Sequence, residues 1–266
     1  MQNYYLGLLP NKLFIFGSQA LYLGQLGDLS LHRHHALQII FGFAKPFIVH
    51  TETGKRKQRA VILRPNIMHT IDTQGNLLAI MLLSPEEEAS KRIAATYLQD
   101  KDIAILEDDL IRPLIIELMD ATVPDFPEEY VKQTFEDIVY KLSKSWDPDF
   151  SFDPRIENVL KMIHEHPSKK ISASEIAEEI SLSQSRLIHL FKEQLGIPIR
   201  RYLLWHRLLA AINSLPTTED LTSAAHDAGF ADSAHLSRTF KDMFGVPPSE
   251  IFKDSQFVQA IFYLQD

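Results

Sequence analysis

The 266-residue chain is 45% hydrophobic and 23% charged with a formal net charge of −8, the composition of a globular protein long enough for two cores. It has no cysteine, which excludes disulfides, thiol catalysis and cysteine-ligated zinc. Its start, MQNYYLGLLPNK, lacks the basic stretch and long apolar run of a signal peptide, and the longest apolar run, Leu77–Leu83, is too short to span a bilayer, so a cytoplasmic protein is expected.

Charge is unevenly spread: residues 1–83 hold eight Lys and Arg against three Asp and Glu, residues 84–153 seven against eighteen, and the remainder twelve against fourteen. The first block alternates. KLFIFG, QALYLG, ALQIIFGF, PFIVHT, AVILRP and LLAIMLL read as short strands, separated by turn signals at Gly17-Ser18, Gly27-Asp28, Lys45-Pro46, Thr53-Gly54 and Gln74-Gly75. This spacing predicts a small barrel or sandwich. Within it stands HRHHALQ, which on a strand puts His32, His34 and Gln38 on one face, and RPNIMH adds His69. Three neutral imidazoles suit Zn²⁺ or Fe²⁺; they also suit the polar mouth of an organic-ligand pocket, which is the preferred expectation, with no resident metal. By parity, Phe14, Phe16, Tyr22, His32, His34, Gln38, Ile40 and His69 are the candidate ligand-binding residues. The positive balance fits an anionic effector, although Lys55, Arg56, Lys57 and Arg59 are more simply a hairpin decorated for water.

The second block turns helical at Ser84-Pro85-Glu86-Glu87, where Ser84 is placed to cap, Pro85 takes the first helical position and Glu87 completes a capping box. EEYVKQTFEDIVYKLSK then sets Val131, Phe135, Ile138 and Leu142 on one stripe, either packed on the strands or forming a dimer seam.

In the third block nearly the same text occurs twice. SRLIHLFKEQLGIP (185–198) and AHLSRTFKDMFGVP (234–247) align at a constant offset of 49 residues, with Leu187 on Leu236, Phe191 on Phe240, Lys192 on Lys241, Glu193 on Asp242, Gly196 on Gly245 and Pro198 on Pro247. Two copies are too few for a solenoid, so a paired module is expected. Asp153-Pro154 opens a helix with Ile156, Val159, Leu160 and Ile163 on its inner face. Ser172 caps the next, with Glu175 three residues on and Ile176, Ala177 and Ile180 inward. After Ser181-Leu182-Ser183 a helix carries Leu187, Leu190 and Phe191 inward until Gly196 stops it, the pattern of a helix-turn-helix. The second copy runs Ala224, Ala225, Ala228, Gly229-Phe230, then a cap at Asp232 and a helix with Leu236 and Phe240. Between them, Ile199–Leu215 reads as one helix of about 25 Å.

SxSxLxxxFKxxxG, YLxxxRLxxA and AGFxDxxxxSRxFKxxFGxxP, over roughly residues 155 to 253, resemble the C-terminal domain of the AraC/XylS transcription regulators. The resemblance implies two helix-turn-helix modules that place recognition helices in successive major grooves about 34 Å apart. It also implies contact with RNA polymerase. Groove-facing positions are then Ser185, Arg186, Ile188 and His189 in the first module and Ser233, Ala234, Ser237 and Arg238 in the second, with Lys192, Lys241, Arg200 and Arg201 as phosphate anchors. Pro248-Ser249-Glu250-Ile251-Phe252 lacks the tyrosine and arginine that end the family pattern, and Leu236 replaces a usual aromatic. A block carrying twelve basic against fourteen acidic residues must bind DNA through a local basic face, with modest and salt-dependent affinity.

The histidine pattern is similar to the cupin arrangement HxHxxxE…H over about residues 10 to 83, with Gln38 at the glutamate position and a second motif one residue short and without its glycine. Many AraC-type regulators carry a cupin-like sensor at this place. The expected architecture is therefore α+β in two domains: a cupin-like β-barrel at 1–83 followed by a helical linker or dimerisation segment at 84–152, and an all-α double helix-turn-helix at 153–266. The expected function is a ligand-responsive regulator that is not an enzyme, its partners double-stranded DNA, a small-molecule effector, RNA polymerase and a possible second copy of itself. The rival from another class is a cupin metalloenzyme with a helical domain used only for association.

Overall fold

Runs with apolar residues at alternate positions pair into sheets because successive side chains leave opposite faces. A computed structural model describes residues 11–25, 29–123, 126–144, 152–165, 171–218, 220–252 and 258–263; the expected turn at Gly27-Asp28 lies outside them. The chain forms two units, residues 1–147 with 240–266, and residues 148–239.

The six expected runs become β1 (Asn11–Phe16), β2 (Gln19–Gly24), β3 (Leu37–Gly42), β4 (Phe47–Thr51), β6 (Ala60–Leu63) and β8 (Leu78–Leu83). Four strands join them that were not foreseen: β5 (Gly54–Gln58), β7 (His69–Asp72), β9 (Ile103–Ile105) and β10 (Val258–Tyr263). The strands form a seven-stranded sheet in the order β10-β1-β2-β8-β3-β6-β9 and a three-stranded sheet in the order β5-β4-β7. The expected barrel is therefore not closed: the large sheet ends on β10 and β9, and among the described residues no strand ladder joins the two sheets. Lys55, Arg56 and Lys57 stand exposed on the edge strand β5, where charge discourages edge-to-edge pairing.

Every residue of β3 is buried because each face of the large sheet has its own core. Phe14, Phe16, Leu21, Leu37, Ile39, Ile62 and Met81 face one core, and Tyr22, Ile40, Val61, Leu63, Leu78 and Ile80 face the other together with Phe47, Val49 and Ile71 of the small sheet.

The helix expected at Ser84 starts four residues later, as α1 (Glu88–Ile93), which continues into a π-helical turn at Ala94–Leu98. The capping box is not formed, because the Ser84 hydroxyl is engaged with Ser18 Oγ at 2.7 Å and Glu87 accepts from Gln19 Nε2. In α2 (Asp108–Asp120) and α3 (Glu128–Ser143) apolar stripes face the first core. Val131, Phe135, Ile138 and Leu142 are all buried there, Phe135 with its ring centroid 5.1 Å from that of Phe16. That stripe is used inside the protomer, and α3 leaves Tyr130 and Tyr140 outside.

The second unit is helical: α4 (Pro154–Glu165), α5 (Ala173–Glu179), α6 (Gln184–Leu195), α7 (Ile199–Ser214), α8 (Leu221–Asp227) and the start of α9 (Ser233–Phe244), whose residues from Phe240 on belong with the first unit. Ile156, Val159, Leu160, Ile163, Ile176, Ala177, Leu187, Leu190 and Phe191 form one core with Tyr202 and Leu203, which are the inward positions expected from the periodicity. Past α9, a 3₁₀ turn at Pro248–Glu250 precedes β10, which lies parallel to β1 in the register Asn11 to Val258 through Phe16 to Tyr263.

Candidate nucleic-acid interface and effector site

In the first helix-turn-helix, α5 is fixed by a complete capping box: Ser172 Oγ accepts from the Glu175 amide at 3.3 Å and Glu175 Oε2 accepts from the Ser172 amide at 2.7 Å. The turn places Ser181 at φ 55°, and Ser183 caps α6 by accepting from the Arg186 amide at 3.2 Å. With Leu187, Leu190 and Phe191 buried, Ser185, Arg186, His189 and Lys192 are exposed. Ile188 is half-buried against the core, a less open position than a groove-facing one. Arg200 is exposed and Arg201 intermediate at the start of α7.

The second module is capped by other chemistry. Asp220 accepts from the amides of Thr222 at 2.6 Å and Ser223 at 2.9 Å, which hold its carboxyl below the usual carboxylate range. Asp232, as expected, caps α9 by accepting from the His235 amide at 2.6 Å. Ala234, Arg238 and Lys241 are exposed on α9, and Ser233 and Ser237 are half-buried. The two modules thus present unequal faces: His189 stands where the second copy has Arg238, and Ile188 where it has Ser237.

The histidines expected on a strand come together by another route. His32 and His34 lie in the irregular segment before β3, and an isolated bridge between His32 and His69 brings in β7. Ring centroids are 4.3 Å apart for His32 and His69, 5.3 Å for His34 and His69 and 5.7 Å for His32 and His34. All three are buried, and one nitrogen of each lies within 4.8 Å of the others. Each Nδ1 lies within hydrogen-bond distance of a backbone carbonyl: His32 of Ser30 at 2.8 Å, His34 of Ala36 at 3.2 Å and His69 of Ile67 at 3.1 Å. For His32 and His69 that fixes the tautomer and leaves Nε2 as the lone-pair nitrogen. His69 Nε2 is buried without a hydrogen-bond partner, and His34 Nε2 lies 3.2 Å from Gln38 Oε1, so the neutral His34 ring has an acceptor at each nitrogen and one proton to donate.

Burial keeps the cluster neutral. It lowers the pKa of His32, lowers that of His34 well below the ordinary value with help from the neighbouring His69 and His32, and brings His69 to about 3. The folded protein therefore binds fewer protons here than the unfolded chain, so stability is full above about pH 6.5 and is lost as pH falls. The unfolding free energy of chelator-treated protein should fall as pH is lowered below about 6.5, with a slope of up to about 1.4 kcal/mol per pH unit from His69, whose folded pKa lies near 3. The paired substitution His34→Gln and His69→Gln should flatten that slope; an unchanged slope would show that other groups produce it.

Of the remaining ligand-binding candidates, Tyr22 and Ile40 lie in the same core as the small sheet, and burial raises the pKa of the unpartnered Tyr22 hydroxyl. Gln38 is two residues from Ile40 on the same face of β3. Phe14 and Phe16 do not join them. Residues directly opposite in an antiparallel pair share a face, and the β1–β2 register sets Leu13, not Phe14, opposite Tyr22. Phe14 and Phe16 consequently face the helices, with the Tyr263 ring tilted against Phe16 at 4.8 Å. No sequence pattern pointed to Ser30 or Gly245 in this region, where Ser30 Oγ donates to the Gly245 carbonyl at 2.6 Å.

Three-His donor sets with second nitrogens held by carbonyls fit a divalent cation such as Zn²⁺ or Fe²⁺, and the orphaned His69 Nε2 is in keeping with that fit. Gln38 brings no negative charge to the set.

Residues 176–254 match the family described as "Helix-turn-helix domain". The chain is 34% identical over 104 residues to the "HTH-type transcriptional activator RhaS" of Escherichia fergusonii, a match over 39% of this chain and 37% of that protein. It is 33% identical over 100 residues to the "Arabinose operon regulatory protein" of Escherichia coli, over 37% of this chain and 34% of that one. These matches span about a third of either relative. Among solved structures, ToxT from Vibrio cholerae superposes over 88% of this chain and 96% of its own with a TM-score of 0.57 at 16% identity, a likeness of fold. With its capped helices, repeated Gly stops and matched residues, the C-terminal third of this chain is a helix-turn-helix domain similar to parts of these two regulators.

Proposed function

We propose that the protein is a ligand-responsive transcription regulator, with a cupin-like sensor at residues 1–83, a helical segment at 84–152 and a DNA-binding domain at 153–266. The single observation that carries this is the duplicated helix-turn-helix, whose second helices each keep a polar outer face, Ser185, Arg186, His189 and Lys192 on α6 and Ala234, Arg238 and Lys241 on α9. Arg238 and His189 read base edges, Ser185, Ser233, Ala234, Ser237 and Ile188 flank them, and Lys192, Lys241, Arg200 and Arg201 hold phosphates. α7, 16 residues and about 24 Å long, is a strut suited to recognition elements one helical turn apart. Contact with RNA polymerase and self-association through the exposed side of α3 belong to the same proposal.

The effector sits at Tyr22, His32, His34, Gln38, Ile40 and His69, where neutral polar groups meet an apolar core. One ToxT structure contains an unsaturated fatty acid, which supports a small organic effector for this fold. If a cation is the ligand, His32, His34 and His69 hold it, and it supplies a fixed positive charge and Lewis acidity in a site that otherwise has neither. The effector acts by binding one arrangement of the protein better than another, since equal affinity shifts nothing.

Selection of duplexes from a random pool tests the proposal. Enriched sequences should contain two short boxes with centres about 10 base pairs apart. Arg238→Ala should weaken binding by about 1–3 kcal/mol and relax preference within one box only; His189→Ala should act on the other. A pool that returns no enriched sequence, together with turnover by iron-loaded protein, would favour a cupin metalloenzyme instead.

A further inference from the structure

The repeat ends twice in the same way and is then put to different uses. Gly196 and Gly245 close α6 and α9 in the left-handed region, at φ 71° and 79°, and each donates its amide to the lysine carbonyl four residues back, at 2.9 Å and 2.8 Å. A side chain is equally strained at both. A Cβ on Gly196 would meet nothing within 4 Å, whereas on Gly245 it would come to 2.9 Å from His32 Nδ1 and 3.1 Å from the Ser30 carbonyl. The carbonyl of Gly245 accepts from the Ser30 amide at 3.3 Å and hydroxyl at 2.6 Å, and that of Asp242 accepts from the Arg33 amide at 3.4 Å. Carbonyls at a helix C-terminus have no partner within the helix. Here residues 30–33 supply partners for those of α9, all within the first unit. His32 belongs to both assemblies, since its Nδ1 bonds Ser30 and its ring meets His34 and His69.

We propose that residues 30–33 couple the imidazole cluster to the last turn of the second recognition helix, so that a ligand on His32, His34 and His69 tightens the cap on α9 and leaves α6 untouched. The proposal rests on the cluster being a ligand site. Coordination of His32 at Nε2 makes its Nδ1–H a stronger donor to the Ser30 carbonyl, and the segment that carries both bonds to Gly245 loses freedom. Coupling is reciprocal, so loosening the cap must weaken the ligand.

The duplication supplies its own control. In the full-length protein, Co²⁺ affinity is measured from the visible absorption of the bound ion for wild type, Gly245→Ala and Gly196→Ala. Backbone strain is matched in the two variants, and only the first crowds His32. Gly245→Ala should bind Co²⁺ about tenfold more weakly or worse, and Gly196→Ala within about twofold of wild type. Ser30→Ala, which removes the hydroxyl bond to Gly245 without altering a ligand, serves if Gly245→Ala fails to fold, with a loss of about fivefold expected. Hydrogen exchange of wild type should slow for amides 242–246 on adding Co²⁺ and stay unchanged for amides 193–197. Wild-type binding with equal affinity in all variants and unaltered exchange at 242–246 would overturn the coupling alone. A wild type that takes up no Co²⁺ would overturn the cluster as a cation site and the coupling with it.

Discussion

Phe191→Ala is expected to cost about 3–5 kcal/mol, the largest effect of any single substitution considered. Phe191 is fully buried in the core of the first helix-turn-helix, with its ring T-shaped against Tyr202 at 5.2 Å. It receives Leu187 and Leu190 from its own helix and residues of α4, α5 and α7 around it. Truncation removes the transfer free energy of the ring and leaves a hole lined by side chains already fixed by caps at Ser172 and Ser183, so little collapse can compensate. Small domains hold about 5–15 kcal/mol in total, so at least a fifth of that reserve is at stake. Urea denaturation followed by helical circular dichroism measures the loss, and DNA binding should fall with it. A cost below about 1 kcal/mol would mean that the second unit repacks around the gap and that its core is not the close-packed one described.

The second large effect is expected from deleting residues 257–266. β10 pairs with β1 along all six residues, and Tyr263 rests on Phe14 and Phe16 with centroids at 6.5 Å and 4.8 Å. Without β10, β1 becomes an edge strand reading NKLFIF, with a row of unpaired backbone groups beside four consecutive apolar residues. Such an edge is a template for association. Partial re-exposure of Ile261, Phe262 and Tyr263 contacts corresponds to roughly 3 kcal/mol, and the truncated chain should form oligomers under conditions where the full chain does not. Analytical ultracentrifugation reads this directly; a truncated chain that sediments as the full one does and keeps its denaturation midpoint would show that β10 adds nothing to the sheet.

Local chemistry made much of this structure legible beforehand. The Ser172 and Glu175 pair, Asp232 and the two glycine stops each satisfy the ends of their own helix from within a few residues, so a short window of sequence holds the whole cause. The capping box at Ser84 failed for the complementary reason: Ser18, 66 residues away, competes for the hydroxyl, and no local pattern reveals a distant partner. Parity along β3 correctly put Gln38 with Ile40, yet the same method misplaced Phe14 and Phe16, because parity says which residues share a face within a strand and says nothing of which face its neighbour presents.

Sequence alone therefore determined the duplicated helix-turn-helix, its caps at Ser172 and Asp232, its inward residues and the exposure of Ser185, His189, Arg238 and Lys241, since a helix writes its buried stripe and both ends into contiguous text. Tertiary structure decided the open seven-stranded sheet, the parallel return of β10 to β1, the meeting of His32, His34 and His69, and the capture of Gly245 by Ser30. Each of these joins residues tens to hundreds of positions apart, where pairing is fixed by register and by competition for hydrogen bonds across the folded chain.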